Sequence, residues 1–279
     1  MWAEFKHTLR RMRWQIVGWS FGTALYGLLM INIYPSMVDV SDIIDEYISM
    51  FPEAMLAFFE NIYAIGTPMG FLDVYFFSYM HMIIGILAIS AAVGLLVGDE
   101  EKGVLDLVLA QPLSRTSLFF GRFFALAVAL AIILLVDWLS WAVPAGSVGF
   151  ELSWLQLLLP FISLLAVLLL FAAIALLLSL MLPAARLAGM LTGALLVGNF
   201  LLQGLSNLNE NLQPLMKYLP LNYYQGGTAV EKLNSGWLFG LLLTTLIITA
   251  AAWVLFLRRD IRVGGERSWQ LPLFKLRSH

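Results

Sequence analysis

The chain contains no cysteine and only three histidines, His7, His81 and His279. The first absence excludes disulfide frameworks, thiolate metal sites and thiol nucleophiles. The wide spacing of the histidines argues against a clustered metal site. Charge is also scarce. Only 12% of the 279 residues are Asp, Glu, Lys or Arg, against about 25% in a typical soluble domain. No G-x-x-x-x-G-K-[ST] phosphate loop occurs anywhere, so the residues offer no cradle of that type for a nucleoside triphosphate. Nothing in the charge pattern points to nucleic acid as a partner. What is abundant is apolar surface. Hydrophobic residues make up 61% of the chain, and the mean hydropathy is +0.86. The expected fold class is an all-α polytopic membrane protein in a single transmembrane domain.

Six apolar runs are long enough to span a hydrocarbon core of roughly 30 Å. They lie at 14–34, 71–97, 117–143, 152–182, 186–205 and 237–257. The stretch before the first run places Trp2, Phe5, Leu9 and Met12 on one helical face, with Lys6, Arg10, Arg11 and Arg13 mostly elsewhere. This predicts an in-plane amphipathic helix over 1–13. The first run has no small-residue cleavage site, which separates it from a signal peptide. Gly18 and Gly22 within it form a small-xxx-small pair suited to close helix packing.

Charge is sorted by side. With six spans, 14 of the 16 Lys and Arg residues fall together, and only Lys217 and Lys232 fall opposite. The positive-inside rule then places both termini in the cytoplasm of a cell membrane, with the basic tail 258–279 near anionic lipid. The outer side is expected to carry the acidic loop 35–70 and the segment 206–236. The loop holds Asp39, Asp42, Asp45, Glu46, Glu53 and Glu60 and no basic residue. In the second segment, Pro214 and Pro220 interrupt a leucine repeat, as in an amphipathic or re-entrant hairpin.

The one sizeable charged interruption on the basic side is 98–116, GDEEKGVLDLVLAQPLSRT. Asp99 suits an N-cap, Glu100 and Glu101 suit a first turn, and Pro112 suits an end. Leu105, Leu107, Val104, Val108 and Leu109 cover an arc of about 200°, wider than one buried stripe requires. Such a helix needs a partner on each side. Glu101 projects into that arc and needs a basic mate, for which Arg115 or a residue on a partner serves. Ser114 is placed to cap the following helix.

Within the spans, Asn199, Gln203 and Asn207 form a polar stripe four residues apart. It reads either as part of a substrate path or as interhelical hydrogen bonding. Asp137 sits in the third span and faces either a vestibule or a snorkelling position. His81 is alone in the second, and Asp73 marks that span's outer boundary. Asp137 and His81 together also support an alternative, an ion-coupled secondary transporter, although no matching pair of broken helices accompanies them. An intramembrane enzyme has no catalytic constellation in this sequence.

Glu101, Gly103, the leucine-rich run from Leu105 through Val108 to Leu109, then Pro112, Ser114 and Arg115 before a span, resemble the ABC-2 type permeases. So do the six-span arrangement and the stretch Leu219 to Tyr223 before the last span; the long acidic loop departs from the pattern. The resemblance implies a bacterial or archaeal exporter subunit that pairs with a second copy or a paralogue. It further implies separate ATP-binding cassette subunits, carrying ATP and Mg2+, that dock on 101–112 and on the turn near Arg186. An apolar bundle favours hydrophobic, lipid-like or peptide cargo.

Overall fold

The computed structural model describes residues 1–40, 48, 50–58, 62–101, 103, 105 and 113–259. It is 84% helical and has no strands among these residues. Six helices are long and apolar enough to cross a membrane: α1 (Trp2–Asp39), α2 (Pro68–Gly94), α4 (Arg115–Ala145), α5 (Trp154–Met181), α6 (Ala185–Leu208) and α7 (Ser235–Arg258). A five-residue helix, α3 (Val97–Glu101), follows α2. The chain is an all-α polytopic membrane protein.

The most apolar span lies at the centre. α5 is the most apolar of the six and packs against α2, α4, α6 and α7. Its Ala166, Ala172, Ala173 and Ala175 are buried, and their small side chains let neighbouring helices approach closely. Only 22% of the apolar window is buried in α1, α6 and α7, against 56–67% in the other three. The peripheral helices therefore present their apolar residues outward, as lipid-facing surfaces do. Ser153 caps α5 through a reciprocal capping box with Gln156, and Ser114 caps α4 through Ser117 N at 3.1 Å, as its position in the sequence predicts.

One boundary differs from the sequence expectation. A single helix covers both the expected in-plane segment 1–13 and the first span. No glycine or proline stands between Trp2 and Val17 to interrupt the hydrogen-bond ladder, and the first glycine is Gly18. Pro35, inside the last two turns, does not end the helix either. The resulting rod is about 57 Å long at 1.5 Å per residue. Its first turn packs on the start of α4, where a side chain at Gly121 would meet Met1 O and Glu4 Cβ at 2.8 and 3.0 Å.

α1 and α4 lie along each other for much of their length. Their closest approach is at Gly27, where an added Cβ would stand 2.3 Å from Ser140 Oγ and 2.7 Å from Trp141 Nε1. Trp141 is fully buried, so its indole cannot swing into solvent. By contrast, Gly18 and Gly22 have nothing within 4 Å of an added Cβ. Their small-xxx-small pair meets no partner among the described residues.

α2 begins with a turn capped by Thr67, passes through a π-helical stretch at Asp73–Phe77, and then continues as α-helix. Asp73 is not an exposed boundary marker but is buried inside this stretch. The segment after α6 forms short turns rather than one helix, at Glu210–Leu212, Gln213–Met216, Pro220–Tyr223 and Gly226–Val230. The last of these is largely buried and packs on α5. Within the acidic loop, the described residues form short helices at Glu53–Leu56 and Ile62–Ala64.

The glycine contacts give a direct test of α1–α4 packing. Gly27→Val is expected to destabilise the purified protein by about 1–3 kcal/mol, the usual range for overpacking. Gly18→Ala is expected to be neutral or mildly stabilising. Thermal unfolding midpoints in detergent check both.

Candidate functional site

At the basic end of the bundle, Arg122 is buried about two helical turns into α4, at 1% exposure. A guanidinium there must find acceptors for its five N–H groups. It reaches three other elements. Nη1 donates to Asp99 Oδ2 at 2.6 Å and to the Leu95 carbonyl, and Nε donates to Glu4 Oε2 at 3.4 Å. Asp99 also receives both of its oxygens' bonds from Arg11 Nη1, at 3.0 and 2.9 Å. Glu4 and Arg11 belong to α1, Leu95 and Asp99 to the end of α2 and to α3, and Arg122 to α4. One ion cluster thus joins all three at the point where the chain leaves α2.

Asp99 is therefore not the N-cap expected from the sequence. Helix α3 starts earlier, at Val97, which places Asp99 in its interior with its carboxylate turned to the two arginines. Glu100 beside it pairs with Arg259, just after α7, at 3.3 Å. Gly103 ends this region at φ +66°, a left-handed conformation that favours glycine, and its N–H bonds Glu100 O at 2.9 Å. Leu105 is buried. Val108 and Pro112 lie outside the described residues.

Glu101 and Arg115 do not pair with each other. Each instead satisfies the end of another helix. Glu101 Oε1 accepts from the Ala185 backbone N–H at 2.8 Å. Ala185 is the first residue of α6, whose own N-cap, Ala184, has no side chain able to do this. A carboxylate at that position complements the helix dipole. Arg115 Nη1 donates to the carbonyls of Phe256, Leu257 and Arg259 at 3.4, 3.3 and 2.8 Å, closing the C-terminal end of α7. The charged segment thereby touches α6 and α7 as well as α1, α2 and α4. Arg186, next to Ala185, is exposed.

The model of the ABC-2 family transporter protein matches residues 2–261, nearly the whole chain and all six spans. The chain belongs to the ABC-2 transporter family. It is accordingly a multi-pass permease of an ABC transporter, a family that works with ATP-binding subunits. None of the curated proteins compared with the chain matches it.

At the opposite end of the permease, the amide stripe of α6 divides. Asn207 Nδ2 donates to the Ala57 carbonyl at 2.8 Å, fastening the loop to α6. Phe58 then packs on Gly204, where any Cβ would stand 2.2 Å from its ring. Gln203 and Asn207 line a small cavity with Asp73, Phe77, His81, Phe200 and Tyr224. Asn199 lies deeper, donating to Leu195 O of its own helix at 2.8 Å. Asp137 is elsewhere, fully buried between α1 and α4. Ser140 Oγ donates to the Asp137 carbonyl, and Thr23 Oγ1 donates to Trp19 O. His81, between α2 and α6, shares no interface with Asp137.

The sequence reading gives no role to Arg122 or Glu4, and gives Asp99 only that of an N-cap. One signal was available: Arg122 lies inside an apolar run expected to cross the membrane, and an ionisable residue there calls for a partner. The model of the site makes Arg122 the costliest residue to lose. Arg122→Ala leaves Asp99 and Glu4 without a shared cation and is expected to cost roughly 3–5 kcal/mol, as for a broken buried pair. Arg122→Lys, which keeps charge but not the fork, should fall between. Detergent stability and membrane-inserted yield measure the series.

Proposed function

We propose that this permease is an exporter subunit driven by separate ATP-binding cassette subunits that hold ATP and Mg2+. They dock on the segment 101–112 and on the turn at Arg186, and a second copy or a paralogue completes the transporter. Both termini lie in the cytoplasm of a bacterial or archaeal cell membrane, and the cargo is hydrophobic, lipid-like or peptide.

The observation that carries this reading is the bond from Glu101 to Ala185 N. It fastens together the two places where the ATP-binding subunits would press, although they are far apart in sequence. A push on one is then a push on the other. From there the ion cluster passes the displacement to α1 and α4, and the Arg115 contacts pass it to α7. Rigid tilting of the packed spans between inward- and outward-open arrangements is the motion such a linkage serves. The outward-facing residues of α1, among them Trp14, Val17 and Phe21, and its Gly18–Gly22 pair supply a surface for lipid and for the second subunit.

Asp137 and His81 supply the competing ion-coupled reading. Their placement in separate helix interfaces gives them no shared pathway.

Reconstitution with candidate ATP-binding subunits tests the proposal. Glu101→Ala is expected to lower transport per ATP hydrolysed by about tenfold, equivalent to 1.4 kcal/mol, with insertion and subunit binding retained. Transport unchanged in this variant removes Glu101 from the mechanism. Transport that persists without any ATP-binding subunit overturns the exporter reading itself.

A further inference from the structure

The cavity between α2, α6 and the turn Gly226–Val230 has a volume of about 40 Å3. A cavity needs about 10–15 Å3 of such space to hold one water, so this one suits a small polar group or a few waters rather than a whole substrate. Its chemistry is one-sided. Among the described residues, the lining holds the Asp73 carboxylate, the side-chain amides of Gln203 and Asn207, the Ser78 hydroxyl and several aromatic rings, with no lysine or arginine.

His81 supplies the decisive atom. It is buried at 3% exposure, and its Nε2 has no hydrogen-bond partner among the described residues. Nδ1 lies 3.3 Å from the Phe77 carbonyl, which can only accept. The proton therefore sits on Nδ1, and in the neutral imidazole Nε2 is left as a lone-pair acceptor in the cavity wall. The π-helical stretch Asp73–Phe77 builds this arrangement. Such stretches interrupt the regular ladder and are frequent at functional sites. The Phe77 carbonyl also accepts from the Tyr224 hydroxyl at 3.1 Å, which fixes that ring. Phe200 and Tyr224 flank the imidazole with centroids 5.7 and 5.3 Å away, and Phe58 lies 5.6 Å from Phe200.

An acceptor nitrogen, a carboxylate and aromatic rings in one narrow space select a positively charged N–H donor. The ring faces favour a cation, the imidazole requires a hydrogen-bond donor, and the carboxylate disfavours an anion. We infer that this cavity is a binding subsite for the primary ammonium group of a small amine or of a larger molecule that carries one. As the place where the cargo's head is recognised, it rests on the transport reading above; as a binding site, it stands apart from it.

The probe is benzylammonium, with benzyl alcohol and benzoate as its neutral and anionic counterparts. Binding is measured by titration calorimetry on the purified full chain at neutral pH, without ATP-binding subunits. Benzylammonium is expected to bind saturably, at least about tenfold tighter than either counterpart. His81→Leu and Asp73→Asn should each weaken it by about tenfold or more. Asp73→Asn retains an oxygen for the Gly227 N–H, now 2.7 Å from Asp73 Oδ1, and so tests the charge in a folded protein. Lys217→Gln, on an exposed turn at the same end, should leave the affinity unchanged. Equal affinity for the alcohol, affinity indifferent to both variants, or no saturable binding overturns the inference and leaves the cavity a water site. Because no nucleotide is involved, this result is independent of whether Glu101 couples hydrolysis to transport.

Discussion

Arg122 is a charge in a place where a charge needs partners, and the basic end of this permease is arranged around providing them. Its guanidinium is fully buried in a largely apolar helix, so each donor must be met from inside the protein. Asp99 and Glu4 meet it with carboxylates and Leu95 with a carbonyl. Those acceptors come from α1 and from the α2–α3 junction, which fixes where both can sit relative to α4. Close packing at Gly121 follows from the same requirement, since Glu4 reaches Arg122 only if the first turn of α1 lies against α4. Buried ion pairs are weak sources of net stability but severe penalties when broken. The cluster therefore acts as a constraint on geometry more than as glue.

The two ends of the bundle are held by different chemistry. At the basic end the ties are ionic or run from charged groups to helix termini: Glu101 to α6, Arg115 to α7, Glu100 to Arg259. At the other end they run mainly from side chains to backbone. Asp73 accepts from Gly227 N, Asn207 donates to Ala57 O, Gln225 N donates to Ser163 Oγ, and Gln225 also reaches Asn234. Charged ties at one end concentrate rigidity where force from a motor would enter. The backbone ties at the other end shape a small polar cavity between helices that carry few charges.

The spans were legible in the sequence because hydropathy and length report directly on crossing an apolar layer. The observed helices start and stop within three residues of the expected spans at most ends, as at Trp154–Met181 and Arg115–Ala145. α1 is the exception, because amphipathicity at its start signals a change of environment and not a break in the helix. Pairings were less legible. Glu101 was expected to seek a cation and found a helix terminus instead. A backbone N–H at the start of α6 is as good a partner for a carboxylate as an arginine, but only the fold reveals that the two meet. Asp99 and Arg122 lie 23 residues apart across a chain reversal, a separation at which residue spacing carries no information. The division of the α6 stripe was also hidden, since Asn199, Gln203 and Asn207 share a face but meet different neighbours along it.

The central claim is that Asp99 and Arg122 act as one unit that fixes α1, α2 and α4 at the basic end. A double-mutant cycle measures this directly, using Asp99→Asn, Arg122→Gln and the pair in reversible unfolding of the purified permease. Each single variant takes the nearest partner from a buried charge, leaving Arg122 with Glu4 at 3.4 Å or Asp99 with Arg11 at 2.9 Å, whereas the double variant removes both charges together. The account predicts a double variant less destabilised than the sum of the singles by at least about 1 kcal/mol, within the range for contacting residues. Additive effects within about 0.3–0.5 kcal/mol, as found for independent sites, would contradict it.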